Sequence, residues 1–249
     1  MNVPLSEGDL HAAALLLAYY IAFAAAIGIL TRLTPVPREW VRKSYHVFCS
    51  LSVFILLLYF EHWYAAVLAL SLLMLTGYVL LLVGDNIPFA GTMIDRGKGL
   101  GEIREHLLLL LAAMVTLLTF FWGIAGSGHR YAVAVGLLVW GFGDSAAALV
   151  GARYSTRRFR ARWLDNHKSP LGTAAMMAVS IAVTIPSLLW LTPLTALQVP
   201  LAATFVGVVA GSVEAVTRNG LDTLSVPVAA SVASWGAVTA LGAQGLSVP

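Results

Sequence analysis

Apolar residues in this chain neither alternate nor recur on one helical face. They run on in blocks too long for the core helix of a soluble domain. Eight blocks stand out, at residues 11–30, 45–60, 63–83, 107–125, 131–150, 171–191, 199–216 and 226–246. A helix needs about 20 predominantly apolar residues to cross the hydrocarbon of a bilayer, and most of these blocks reach that length. The pattern predicts an all-α polytopic membrane bundle of about eight transmembrane helices, forming one domain over residues 1–249. The second block is short, and its fusion with the third through Glu61-His62 would leave seven spans. Pro35 and Pro37 break the chain between the first two blocks, because proline removes a backbone donor and restricts its neighbour. Pro186, inside the sixth block, is expected to kink that helix. Glu7 and Asp9 stand where a cleaved signal peptide carries basic residues, so the first block is expected to be a retained helix.

Composition agrees with this. The chain is 59% hydrophobic and 11% charged, whereas soluble domains carry about 25% charged residues. The single Cys49 leaves no room for an internal disulfide or a cysteine-ligated metal. The net charge of +3 comes from residues flanking the spans, so it calls for membrane lipids and no nucleic acid. Charge also tests the count. With eight spans and the N-terminus outside, fourteen of the fifteen Lys and Arg residues fall in inner loops, and only Arg130 lies outside. That split is the one the positive-inside rule expects.

One stretch, residues 140–173, carries most of the candidate chemistry. Asp144 lies about two turns inside an apolar span, where an acid is costly and marks a functional site by default. Gly143, Ala147 and Gly151 recur every fourth residue, a stripe that lets another helix backbone approach. Five arginines between Arg153 and Arg162 form a face for solvent and headgroups. Lys168-Ser169 follows, directly before a new span, as a lysine and hydroxyl suited to grip a phosphate at a helix start.

Other candidates lie on the same predicted side. Arg42, Lys43 and His46 sit at the inner mouth of the second span; Arg42 and His46 are one turn apart, with Lys43 beside them. They suit either an anionic phosphate or membrane anchoring. Glu214 and Asp222 bracket the last inner loop. With Asp144 they put carboxylates at the inner ends of three spans, the hard oxygen ligands that Mg²⁺ with a nucleotide requires. Glu102 and His106, one turn apart, fit a metal pair or an ordinary charge pair. Gly97–Gly101 is no Walker loop, since its glycine spacing is wrong and no Ser or Thr follows Lys98.

At these positions the sequence resembles the polytopic CTP-dependent lipid-alcohol kinases, the dolichol, phytol and CTP-using diacylglycerol kinases. Their Asp-x-x-Ala-x-x-x-Gly-x-x-x-Gly motif is matched by Asp144, Ala147 and Gly151, with Ser155 in place of the last glycine. Lys168-Ser169 and Gly172-Thr173 stand where a Lys-rich, Thr- and Gly-containing segment follows. The family's Arg-Lys-x-x-His matches Arg42, Lys43 and His46. Its late Glu … Asp-Asn-Leu … Pro matches Glu214, Asp222, Leu224 and Pro227, with Thr223 replacing the asparagine. The resemblance implies a CTP-dependent, Mg²⁺-assisted transfer of the γ-phosphoryl group to a membrane lipid alcohol at the cytoplasmic face. It implies Asp144, Lys168 and His46 in catalysis and Arg42, Lys43, Gly151, Ser169 and Gly172 around the nucleotide. Glu214 and Asp222 would hold the metal together with Asp144, unless Asp144 instead accepts the hydroxyl proton, two roles that the sequence does not separate. Integral-membrane CDP-diacylglycerol synthases are similar around Asp144 but differ at the later segments. A transporter or non-catalytic membrane protein is the third reading. The acceptor alcohol and the oligomeric state leave no recognisable pattern.

Overall fold

In the computed structural model the chain is helical wherever it is regular, and residues 5–83, 100–160, 164–166 and 168–243 are described. The glycine loop 97–101, the Glu102 side chain, His167 and Arg162 lie outside the described residues or side chains. The helices are α1 (Glu7–Leu33), α2 (Arg38–Leu51), α3 (Val53–Leu58), α4 (Trp63–Val83), α5 (Leu100–Leu117), α6 (Arg130–Leu138), α7 (Ser145–Tyr154), α8 (Pro170–Leu191), α9 (Gln198–Val216) and α10 (Asp222–Ala240). Wider π-helical turns extend α5 through Leu118–Ile124 and join α6 to α7 through Val139–Asp144.

Among the described residues eight helical segments are long and apolar enough to cross a membrane. They correspond one to one with the eight apolar blocks. The edges move. The second span begins at Glu39 and runs to Leu58, with a break at Ser52. Arg42, Lys43 and His46 therefore lie within its helix rather than at its mouth. The fifth span reaches Tyr154, so Asp144 sits ten residues from its end, about 15 Å at 1.5 Å per residue. The last helix begins at Asp222, not at residue 226, which puts that carboxylate in its first turn.

The fifth span, Ser127–Tyr154, is the hub, far more buried than any other. Its neighbours approach at glycines. A Cβ on Gly136 would stand 2.5 Å from the Pro227 carbonyl oxygen of α10, and one on Gly141 2.8 Å from the His46 carbonyl oxygen of α2. One on Gly143 would meet Met176 and Ser180 of α8. The small residues thus act through shape, letting backbones pack in the absence of a hydrophobic drive between helices. Large apolar residues on the outer spans, such as Leu72, Val79 and Phe205, face outward, as hydrocarbon requires.

The end of the bundle away from Asp144 is tied by an acid that the apolar pattern does not reveal. Ser6 caps α1 in a reciprocal capping box with Asp9, satisfying helix donors that would otherwise be orphaned. Buried Asp9 then accepts the backbone N–H groups of Glu61 and His62 at 3.0 and 3.2 Å, and its other oxygen lies 2.7 Å from His62 Nδ1. The turn between α3 and α4 is thereby locked onto the start of α1.

Candidate active site

Two charged clusters form at the opposite end. The first joins α2 to the hub. Lys43 and His46 are three residues apart and share a helix face. The π-helical turn Val139–Asp144 brings Asp144 beside them; such insertions re-aim side chains and recur at functional sites. Lys43 Nζ donates to Asp144 Oδ2 at 2.5 Å, and His46 Nδ1 lies 2.9 Å from the same oxygen. The His46 ring stacks on Trp140 at 4.8 Å between centroids. Ser145 donates to the carbonyls of Gly141 and Lys43 and so ties the two helices just below the pair. Lys43 and Asp144 are both buried.

Arg42 takes a different direction from the one its spacing predicts. Its guanidinium pairs with Glu39 at 2.7 Å, three residues back on the same helix, with a third of each side chain exposed. Lys43 and His46 are the inward pair. Arg42 and Lys43 lie on opposite sides of His46, offset by about 40° and 60° around a 3.6-residue helix, and the position of the hub decides between them.

The second cluster gathers α8, α9 and α10. Ser169 caps α8, accepting from the Gly172 N–H at 3.1 Å, and Pro170 follows in the first turn. Just before the cap, Lys168 turns inward. Its ammonium donates to the Glu214 carbonyl at 2.6 Å and to Asp222 Oδ2 at 3.1 Å, and lies 3.2 Å from Glu214 Oε1. Thr173 donates to the other Glu214 oxygen at 3.0 Å. Burial disfavours the charged lysine, but the charges of Asp222 and Glu214 outweigh it and hold the Lys168 pKa above its ordinary value. The preceding loop is fastened as well: Asp165 N–H donates to the Ala215 carbonyl, and Arg218 donates to that of Leu164. Arg153, Arg157, Arg158 and Arg160 are exposed by contrast.

Gly151 and Gly172 mark where α7 meets the start of α8. Their Cα positions are close enough that a Cβ on Gly172 would stand 2.8 Å from the Ala147 carbonyl oxygen and 3.5 Å from Gly151 Cα. This contact sets the Lys168–Thr173 segment against the helix that carries Asp144.

Two ammonium groups thus face three carboxylates, with His46 as a further proton-carrying group. The acids outnumber the permanent cations, and carboxylate oxygens are the donors that Mg²⁺ prefers, so the donor set fits this ion. The ligands are not gathered in advance. Asp144 is paired with Lys43, and Glu214 and Asp222 with Lys168. Among the described residues the compact group of ligand atoms is Asp9, Glu61 and His62 at the other end, where hydrogen bonds from Ser6, Glu61 and His62 already occupy Asp9. Trp140 is a member of the site beyond the residues singled out from sequence, and Thr173, matched there only as part of a motif, bonds Glu214 directly. Trp140 lies four residues before Asp144 on its helix, a spacing that would have found it.

Fold and site together define a polytopic helical membrane protein with a buried ionic centre at one end of its bundle. A phytol kinase from Synechocystis sp. is 32% identical to the chain over 113 residues, which make up 45% of this chain and 47% of that protein. The chain therefore spans about half the length of the curated relative it matches. No family model matches the chain, and no solved structure matches it.

Proposed function

We propose that the protein is a lipid-alcohol kinase that transfers the γ-phosphoryl group of CTP to a membrane alcohol at the cytoplasmic face. The observation that carries this reading is the convergence of Lys43, His46, Asp144, Lys168, Glu214 and Asp222, from five spans or their edges, at one end of the bundle. The similarity to a phytol kinase supports the same class of reaction.

The residues divide the work by position. Phosphoryl transfer asks mainly for positioning and charge neutralisation. Lys43 and Lys168, with Arg42 at the rim, supply cations to the phosphate oxygens. Ser169 and Gly172 build the start of α8 that faces them. Asp144, Glu214 and Asp222 would hold Mg²⁺, which neutralises phosphate charge when bound. His46, 2.9 Å from Asp144, is placed to take the proton of the attacking hydroxyl while the carboxylate supports the resulting imidazolium. Burial of Lys43 and Asp144 strengthens these interactions by excluding water.

The reading is tested with the purified protein in lipid nanodiscs, given Mg²⁺, a panel of lipid alcohols and CTP labelled at the α or the γ phosphate. The expected result is γ label in a lipid phosphate with release of CDP. Release of pyrophosphate, with α label in the lipid, would assign cytidylyl transfer instead.

A further inference from the structure

α9 and α10 run antiparallel and enclose a groove of about 940 Å³ on their outward face. Phe205, Val209 and Val213 line one wall, and Ser225, Val232 and Gly236 the other. Almost all of its surface is apolar, and it is open along its length to the surroundings of the bundle. Its inner end is different. Ser225 Oγ lies 3.0 Å from Thr217 Oγ1, and Asp222 stands three residues before Ser225, on the same helix face. Asp222 in turn accepts from Lys168 at 3.1 Å. The groove is therefore apolar along the bilayer and polar where it meets the candidate active site.

We propose that this groove receives the apolar tail of the acceptor alcohol and delivers its hydroxyl to the Thr217, Ser225 and Asp222 mouth. The choice of occupant rests on the kinase reading above. From Ser225 to Leu241 the α10 wall rises by sixteen residue steps, about 24 Å at 1.5 Å per residue, most of a hydrocarbon core of about 30 Å. The choice between a phospholipid and an alcohol is made at the polar end, where Thr217, Ser225 and the Lys168-bound Asp222 meet the groove. A groove that runs from the lipid to that charged centre suits one isoprenoid chain whose single polar end is a hydroxyl. The volume also lies within the usual range of ligand sites, about 300–1,000 Å³.

Gly236 sets the depth of the outer half. A Cβ there meets nothing within 4 Å, so a larger side chain projects into the groove without disturbing helix packing. The test uses a C20 isoprenoid alcohol with a diazirine midway along its chain, photolysed with the wild type and with Gly236→Phe in nanodiscs and mapped by mass spectrometry. Labelling is expected on the groove segments of α9 and α10, displaced by unlabelled C20 alcohol and reduced about tenfold in the variant, equivalent to about 1.4 kcal/mol of binding. The ratio of kcat/KM for C20 over C10 alcohols should fall in the variant by a similar factor. Labelling spread over other outward residues such as Leu72 and Val79, and insensitive to Gly236→Phe, would overturn the groove, which would then hold bulk lipid. Groove labelling without phosphorylation of any alcohol would support the groove and refute the kinase reading. Phosphorylation with uniform labelling would do the reverse.

Discussion

Replacing Asp144 by asparagine separates a carboxylate that works from one that is merely tolerated. Lys43 is 5% exposed, and its ammonium donates to Asp144 Oδ2 at 2.5 Å. Asparagine keeps the shape and one acceptor oxygen but removes the counter-charge, leaving a buried ammonium beside a neutral amide. Breaking one side of a buried ion pair costs about 3–5 kcal/mol. The hydrogen bond that the ammonium can still donate to the amide oxygen, weaker than the ion pair it replaces, reduces this to about 2–3 kcal/mol. At about 2–4 °C per kcal/mol for a chain of this size, the melting temperature should fall by roughly 4–12 °C. An acid at this depth taken by itself is a burden of about 2.5–3.5 kcal/mol on insertion scales, and its removal would then raise stability. The Lys43 pairing reverses that sign. Melting followed by tryptophan fluorescence in one detergent measures the effect. The double variant Lys43→Met/Asp144→Asn removes both charges and should recover most of the loss, since replacing a buried pair by uncharged groups is close to neutral. It should fold and transfer no phosphoryl group. A single variant that melts at or above the wild type refutes the pairing. A stable double variant with near wild-type transfer refutes the role of the carboxylate.

Lys168→Ala should abolish transfer and lower the melting temperature, because Glu214 and Asp222 lose their shared cation, whereas Arg160→Ala at an exposed position should change both little; equal losses would reduce the basic loop to a general surface field. The raised Lys168 pKa means that its contribution is complete below its ordinary value of 10.5 and is lost only as the pH rises through the higher folded value, so transfer between pH 6 and 9 should show no titration of this group. Gly172→Ala places a Cβ 2.8 Å from a backbone oxygen of α7 and should cost about 1–3 kcal/mol by overpacking, read as a lower melting temperature; an unchanged value would mean that α7 and α8 do not approach as described. A cysteine at Ser155 in a Cys49→Ala background should resist a membrane-impermeant thiol reagent applied from outside, and ready labelling would reverse the orientation.

The spans were legible because lipid demands continuous apolar runs, and nothing else in a sequence produces eight of them. Their ends were less so, since polar residues with a partner inside the bundle can extend a helix past its apolar stretch. Arg38–Ser44, Ser127–Arg130 and Asp222–Ser225 do this through Lys43, Arg130 and Asp222. Asp144, Lys168, Glu214 and Asp222 were visible as costly charges near one face. Which charge meets which was not. Arg42 and Lys43 are adjacent, and only the hub helix on one side of α2 draws Lys43 inward. The preference for Lys168 over its arginine neighbours was legible from its place before a helix start, and the structure gives the reason in the two carboxylates it binds. Asp9 shows the opposite case. From sequence it argued only against a signal peptide, because a capping acid and a tertiary anchor look alike until the Glu61-His62 turn is brought beside it.

The fate of the γ phosphate tests the central claim most directly. With CTP labelled at that position, Mg²⁺ and phytol in nanodiscs, the label should appear in phytyl phosphate with one CDP released per product, and Lys43→Met/Asp144→Asn should give none. Label recovered as pyrophosphate, or CTP left intact with phytol and every other lipid alcohol, would contradict it.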